Sequence, residues 1–210
     1  MLINESSISW NRDIFNYVNH GQNPILDQIM PIITKFGTGE WLMIIVFILF
    51  IVSLIAKNNK LKRIIIIFLI AMAVSTVITE ILKNVFSEAR PFVALTNLHL
   101  MGDESAFRSF PSGHTKNIFT LITAFGLNHA LKIRGKSVKL LWILLPVGLI
   151  VALSRLYVGV HFPLDLIAGA TIGIVSAGIV SILFNKYLKF NKYLSIITFI
   201  LFVLVYHYVI

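Results

Sequence analysis

The chain of 210 residues is 57% hydrophobic and only 13% charged, whereas soluble globular proteins carry about 25% charged residues. Because the apolar residues also come in long runs, the composition excludes an ordinary soluble protein and indicates an integral membrane protein built as one helical bundle. The absence of cysteine excludes disulfides and thiolate metal sites. A net charge of +9 would suit a nucleic-acid partner, but the positions of the charges argue against one.

The first forty residues are mixed in polarity and predict two short amphipathic helices. Ile14, Phe15 and Val18, and then a second apolar set within 25–33, recur at about helical spacing on either side of a turn at 21–24. These helices could lie along the membrane surface or simply pack on the bundle, and the sequence leaves both readings open. The segment lacks the features of a cleavable signal peptide, so we expect none.

Six apolar segments follow and predict one domain over residues 41–210. A membrane-spanning helix needs about 20 residues, and the first and last segments are the shortest of the six. The segments are 41–56, 64–86, 114–131, 140–159, 164–184 and 194–210. We therefore expect an all-α integral membrane fold, a six-helix transmembrane bundle with amphipathic helices in residues 1–40.

The placement of charge predicts the orientation of this bundle. Three short linkers, at 57–63, 132–139 and 186–192, carry only basic charges, and with six spans they all fall on one side of the membrane. The positive-inside rule makes that side cytoplasmic, and the nine acidic residues then fall on or near the outer side. The basic excess is therefore a topology signal and not a nucleic-acid surface. We expect a multi-pass protein of the cell (inner or plasma) membrane.

Unusual polar residues gather at the span ends that this topology places outside, above all in the stretch 154–165. Arg155, His161 and Asp165 stand there between two apolar runs. Because Pro163 suits the first turn of a helix, Asp165 would lie in that turn, and its carboxylate could reach back to His161. A histidine held in this way is a nucleophile or a base. The plainer reading is an interfacial histidine beside an acid that is favoured at a helix N-terminus.

Two further clusters shift the balance toward function. Lys83 and Arg90 are seven residues apart and lie on one helical face, which suits an anion with several oxygens, although Lys83 alone would also suit snorkelling. Ser112 and Gly113 precede an apolar run, where a helix N-terminus offers free N–H groups to an anion. His114 would face the same ligand, at the helix end that disfavours a cation.

Together these residues fit phosphoryl transfer through a phosphohistidine. The cations and N–H groups would hold the phosphoryl oxygens, one histidine would attack, and the other would protonate the leaving oxygen. No cluster of carboxylates suggests a divalent metal, so we expect no metal and no cofactor. The active site would open on the extracytoplasmic side of the membrane.

The three motifs resemble those of the type 2 phosphatidic acid phosphatase (PAP2) family of membrane lipid phosphatases. The family pattern is Lys, six residues, Arg-Pro; then Pro-Ser-Gly-His; then Ser-Arg, five residues, His, three residues, Asp. Every position is filled here, and the resemblance spans about residues 64–184. It implies that His161 is the nucleophile, with Asp165 as its partner, and that His114 is the acid. The residues that it implies for phosphate binding are Lys83, Arg90, Ser112, Gly113 and Arg155.

The resemblance implies a metal-independent reaction on a membrane lipid phosphate, but it leaves alternatives open. The family also includes vanadate-binding haloperoxidases, which are soluble, so six spans argue against them. A phosphotransferase acting on a second lipid, or an inactive lipid-binding or transport protein, remains a rival. Polyprenyl pyrophosphate, phosphatidylglycerol phosphate, phosphatidate and lipid A phosphates are all possible substrates, and the oligomeric state is not predicted. We expect the loop 92–110 to cap the site; its polar residues are Asn97, His99, Asp103, Glu104 and Arg108.

Overall fold

A computed structural model describes residues 5–133 and 135–187, together with 193, 196, 197, 200, 201, 203 and 204. In this part of the chain there are eight α-helices, one 3-10 turn (Glu5–Ser7) and one antiparallel hairpin. The helices are α1 (Ser9–Asn19), α2 (Pro24–Lys35), α3 (Gly39–Ile55), α4 (Asn59–Phe86), α5 (Pro91–Ala94), α6 (Gly113–Asn128), α7 (Leu140–Tyr157) and α8 (Pro163–Tyr187). The hairpin strands are β1 (Ala130–Ile133) and β2 (Lys136–Lys139).

Helix α6 lies at the centre of the bundle, packed against α4, α7 and α8. Its contact with α8 is close because α8 presents glycines to it. A Cβ built on Gly169 would come within 2.5 Å of the carbonyl oxygen of Ser112, and one on Gly173 within 2.6 Å of that of Lys116. Small residues of this kind let membrane helices bring their backbones together. The first turns of α6 and α8 are thereby fixed side by side.

The apolar core explains why these helices are bundled. Residues 64–69 of α4 are buried all round, as expected for a helix enclosed by its neighbours. A second core region joins α1 to the bundle, because the buried Phe15 packs against Phe162 with ring centroids 5.4 Å apart. By contrast, no residue of α2 is fully buried. Both N-terminal helices nevertheless contact α7, and α2 adds the partly buried Ile33 to the second core region. Their position relative to the membrane surface stays a prediction.

The predicted spans agree with the helices in most places. Among the described residues, α4, α7 and α8 are long and apolar enough to cross a membrane, and α2 with α3, bent by 61°, would make a fourth if they form one broken span. The predicted span 114–131 is too long, because the chain leaves α6 at Asn128 and forms an exposed, lysine-rich hairpin. The predicted span 194–210 lies mostly outside the described residues. The count of six therefore stays a prediction.

The α6–α8 contact generates a testable prediction about stability. Gly169→Ala should lower the free energy of unfolding by about 1–3 kcal/mol, because the added methyl group meets backbone and the two helices must separate. It should also lower activity, since the first turn of α6 moves with them. A thermal unfolding series in detergent measures the effect.

The control for this variant lies on the same helix. A Cβ at Gly178 would meet no atom within 4 Å, so Gly178→Ala should leave the melting temperature unchanged or slightly raised, as expected from helix propensity. Equal melting temperatures for the two variants would contradict the packing argument.

Candidate active site

The predicted site residues lie together at one end of the bundle. Lys83 and Arg90 lie at and just beyond the end of α4, Ser112, Gly113 and His114 at the start of α6, Arg155 in the last turn of α7, and His161 and Asp165 where α8 begins. A backbone hydrogen bond from Ser112 N to the Asp165 carbonyl, 3.0 Å long, joins the first turns of α6 and α8. The structure therefore brings the three sequence motifs to one place.

The pairing of His161 with Asp165 is present as the spacing suggested. The Nδ1 atom of His161 lies 3.0 Å from Oδ2 of Asp165, and both side chains are buried. The backbone N–H of Phe162 donates to the same oxygen at 2.8 Å. Because the carboxylate accepts from Nδ1–H, the ring is held in one orientation with Nε2 turned toward Arg90.

Local sequence sets the turn that carries His161. Gly159 adopts φ = +83°, a left-handed conformation that glycine takes without steric cost, and its Cα lies against the carbonyl of His99. Pro163 then begins α8, where its missing N–H costs nothing. The chain thus reverses between α7 and α8 within a few residues, which places His161 beside the first turn of α8.

Ser109 completes this arrangement and was missed in the sequence. Its hydroxyl donates to Asp165 Oδ2 at 2.6 Å and lies 3.3 Å from His161 Nδ1, and its side chain is fully buried. Asp165 Oδ2 therefore accepts from an imidazole, a hydroxyl and a backbone amide. In the sequence, the only feature that could have indicated Ser109 was its position three residues before Ser112. A single serine in a loop has no characteristic spacing that marks it as a site residue.

The other ring nitrogen of His161 faces a cation. Its Nε2 atom lies 3.1 Å from Nη1 of Arg90, which also donates to the Val160 carbonyl at 3.0 Å. Burial, and then the positive charges of Arg90 and Arg155, hold the pKa of His161 well below its usual value. The imidazole is therefore neutral at physiological pH, with a lone pair on Nε2 directed to the anion-binding side.

Two arginines meet on one carboxylate of the capping loop. Arg90 Nη2 donates to Glu104 Oε2 at 3.1 Å, and Arg155 Nη2 donates to the other oxygen of the same carboxylate. Arg155 also donates from Nη1 to the Thr34 hydroxyl at 2.7 Å. The loop 92–110 thus folds over the site, as expected. The bridging role of Glu104 was not predicted, because it depends on the path of that loop.

The start of α6 forms the opposite wall. Ser112 caps the helix by accepting from Thr115 N at 3.4 Å, and a Cβ built on Gly113 would be 3.9 Å from Nζ of Lys83. Lys83 and His114 line a cavity of about 300 Å³ beside this helix end. The positive charge of Lys83 also lowers the pKa of His161. Lys83, Gly113 and His114 therefore border one cavity at the N-terminus of α6, whereas His161, Arg90 and Arg155 are not among the residues that line it.

This arrangement can bind a tetrahedral oxyanion and attack it. Guanidinium, ammonium and helix N–H groups are the donors that phosphate oxygens prefer, and a neutral, oriented imidazole is a nucleophile. Among the described residues, no group of three or more His, Asp or Glu side chains could hold a metal ion. The positive charge at the site comes from side chains and from a helix end.

With this geometry established, comparison with known proteins identifies the family. The model of the PAP2 superfamily matches residues 64–189, and the chain belongs to that superfamily. It is 32% identical over 170 residues to an undecaprenyl-diphosphatase of Sulfolobus acidocaldarius, covering 80% of this chain and 76% of that protein. The matched residues contain all three motifs.

Solved structures share the fold. The crystal structure of Aquifex aeolicus LpxE has a TM-score of 0.70 and 31% identity, covering 85% of this chain and 99% of that one. The structure of a transmembrane PAP2-type phosphatidylglycerolphosphate phosphatase from Bacillus subtilis has a TM-score of 0.67 and 22% identity, covering 87% and 88%. These similarities confirm the predicted all-α membrane fold, without settling the number of spans.

The contact of Ser109 with Asp165 generates a prediction. Ser109→Ala should lower kcat by about 10- to 100-fold with little change in KM, because a hydrogen bond to a charged group is worth about 1.5–3 kcal/mol and its loss frees the carboxylate to move. Steady-state phosphate release measures both constants.

The matched control is Thr171→Val on α8, which removes a hydroxyl that bonds only to the exposed backbone of its own helix. Its kcat should equal that of the unchanged protein. If Ser109→Ala also kept full kcat, Ser109 would have no part in holding Asp165.

Proposed function

We propose that this protein is a metal-independent membrane lipid phosphatase. It hydrolyses a lipid phosphate or diphosphate through a phosphohistidine intermediate at the outer face of the cell membrane. The observation that carries the proposal is the orientation of His161, whose Nδ1 contacts Asp165 while Nε2 faces Arg90. A lone pair aimed at the residues that bind the anion is what nucleophilic attack on phosphorus needs.

The first chemical step transfers the phosphoryl group to the enzyme. Nε2 of His161 forms a bond to phosphorus while the bond from phosphorus to the lipid oxygen breaks, and the electron pair stays on that oxygen. His114, beside the cavity, gives it a proton. Arg90, Arg155 and Lys83 stabilise the charge that develops on the phosphoryl oxygens, and Asp165 stabilises the positive charge on the imidazole ring.

The second step regenerates the enzyme. A water molecule loses a proton to His114 and attacks phosphorus, the bond from phosphorus to Nε2 of His161 breaks, and the neutral imidazole returns. Over both steps one water is consumed, and the products are the dephosphorylated lipid and inorganic phosphate. The Asp165 carboxylate keeps the ring aligned throughout, because its partners in the loop and in α8 do not depend on the substrate.

The lipid class is supported by similar proteins. One relative is named for undecaprenyl diphosphate and a structural neighbour for phosphatidylglycerolphosphate. Both carry a phosphate ester on a membrane lipid, and the site of this chain opens at the end of an apolar bundle where such a headgroup would lie. Water as the acceptor distinguishes this proposal from phosphotransfer to a second lipid.

The proposed side of the membrane follows from charge. The proposed catalytic residues lie at the bundle end opposite the basic linkers, which include Lys60 in the first turn of α4, Lys136 in the hairpin and Lys186 at the end of α8. The positive-inside rule assigns those linkers to the cytoplasm. The site would then face the extracytoplasmic leaflet.

Cysteine labelling tests this orientation, because the chain has no cysteine of its own. In intact cells an impermeant thiol reagent should label Asp103→Cys, in the exposed capping loop, and should spare Lys136→Cys, in the exposed hairpin. Lysis should make both positions reactive. Labelling of position 136 before lysis would reverse the orientation.

The roles of the two histidines are tested by trapping the intermediate, with EDTA present throughout because the mechanism uses no metal. His161→Ala should abolish both turnover and the labelled phosphoenzyme seen after acid quench. His114→Ala should slow hydrolysis most when the leaving group is a lipid alkoxide, and least for an activated aryl phosphate, which needs little protonation.

Peptide mapping of the trapped label decides the assignment. Label on His114, or a phosphoenzyme that persists in His161→Ala, would remove His161 as the nucleophile. Equal losses for both leaving groups in His114→Ala would remove its role as the acid. A phosphorylated acceptor lipid in place of free phosphate would identify a transferase.

A further inference from the structure

Lys116 is a buried cation that belongs to none of the three motifs. It lies one turn into α6, and its side chain is 3% exposed. Its Nζ atom donates to the Thr76 hydroxyl at 2.8 Å and lies 4.0 Å from the sulfur of Met72. The mechanism described above makes no use of this ammonium, although it lines the same cavity as Lys83 and His114.

The charge of Lys116 lacks the compensation that the arginines have. Arg90 and Arg155 share the carboxylate of Glu104, whereas no carboxylate forms a salt bridge with Lys116 in the described part of the chain. Glu80 also lines the cavity, but it pairs with Arg108. An ammonium buried among hydroxyl and thioether groups is costly unless an anion joins it. An anion that entered the cavity would supply that partner.

The cavity extends from the catalytic residues into the bundle. Thr76, the partner of Lys116, precedes Lys83 by seven residues of α4, so it lies about 10 Å deeper along the helix. The volume of about 300 Å³ is within the range of small-ligand pockets. Its lining includes the uncharged polar side chains of Thr38, Thr79 and Asn117, and the carboxylates of Glu40 and Glu80 line it as well. It therefore suits a hydrophilic group and not a lipid chain.

His114 fixes which part of the substrate meets this cavity. As the proposed acid it contacts the leaving oxygen, so the group bonded to that oxygen continues past His114 toward the bilayer. The terminal phosphoryl group lies on the other side, with Arg90, Arg155 and His161. The polar cavity with Lys116 is thus on the leaving-group side of the bond that breaks.

We propose that this cavity binds the second phosphate of a lipid diphosphate and that Lys116 is the cation that neutralises it. This inference rests on the proposed phosphatase function and narrows its substrate class. Nε2 of His161 would bond to the terminal phosphorus, and the bond from that phosphorus to the bridging oxygen would break. The electron pair stays on the bridging oxygen, which leaves as part of a lipid monophosphate. Water then releases inorganic phosphate from His161.

The proposal makes Lys116 a residue that distinguishes two substrates. With a lipid monophosphate, the leaving group is the uncharged lipid alcohol, and an ammonium group contributes no electrostatic attraction to its binding. A lipid diphosphate places an anion there, and a charged contact of this kind is worth about 10- to 100-fold in binding or rate. A merely structural Lys116 would affect both substrates alike.

The experiment compares farnesyl diphosphate with farnesyl monophosphate on the full-length protein in detergent. Lys116→Met keeps the length of the side chain and removes its charge. Its kcat/KM for the diphosphate should fall about 10- to 100-fold, while that for the monophosphate should change less than about threefold. Lys116→Arg should keep the preference for the diphosphate. The matched control is Thr123→Val, a buried polar position two turns further along α6 that does not line the cavity. It should leave the ratio of the two constants unchanged.

Each outcome decides between the readings. Equal losses on both substrates, or an unchanged ratio, would assign Lys116 a structural role and overturn the proposal. If the unchanged protein had the same kcat/KM for the monophosphate and the diphosphate, the inference about the cavity would be wrong, but the proposed phosphatase function would stand. If the protein hydrolysed neither farnesyl diphosphate nor farnesyl monophosphate, the result would contradict the proposed phosphatase function itself.

A second measurement covers the case in which Lys116→Met does not fold. Inorganic pyrophosphate should inhibit the unchanged protein at a concentration at least about tenfold lower than inorganic phosphate, because it fills both anion positions. Lys116→Arg should retain that difference. Equal inhibition by the two anions in the unchanged protein would overturn the proposal.

Discussion

The close approach of α8 to α6 is the constraint on which the site depends. Because Gly169 and Gly173 carry no side chain, the backbones of the two helices nearly touch, and Ser112 N donates to the Asp165 carbonyl. That bond joins the N-terminus of α6, the proposed phosphate-binding end, to Asp165, which orients the proposed nucleophile His161. If a side chain stood between these helices, the helices would lie further apart. His161 would then be displaced from the N–H groups at the start of α6.

The second organising feature is an excess of positive charge, in which Arg90 and Arg155 share the carboxylate of Glu104. Glu104 takes both arginines, and its exposure is 27%, so it sits at the mouth of the site. The same cations keep His161 neutral, since protonation would add another positive charge to the group. In the proposed mechanism these cations have two effects: they attract a multiply charged anion, and they preserve the lone pair of His161 that would attack it.

The sequence predicted much of the site because its polar residues stand out in apolar spans, and because spacing such as that of His161 and Asp165 is local. Ser109 and Glu104 could not be placed, since their partners are up to 56 and 51 residues away and the loop between the first two motifs has no periodic pattern. The third span was predicted too long because Ala130 and Leu131 are apolar and continue the hydrophobic run. Pairing with the second hairpin strand removes them from the helix.

The walls of the cavity show how one chemistry can serve different lipids. The proposed phosphate-binding residues all lie within the region that the family model matches, 64–189. Thr38 and Gly39, by contrast, precede that region and reach the cavity because Gly37 packs against His114 and its carbonyl accepts from the Asn117 amide at 3.0 Å. The corner between α2 and α3 therefore lines the cavity, the proposed leaving-group side, with residues outside the matched region. Changes in that corner can alter which headgroup fits without moving the nucleophile.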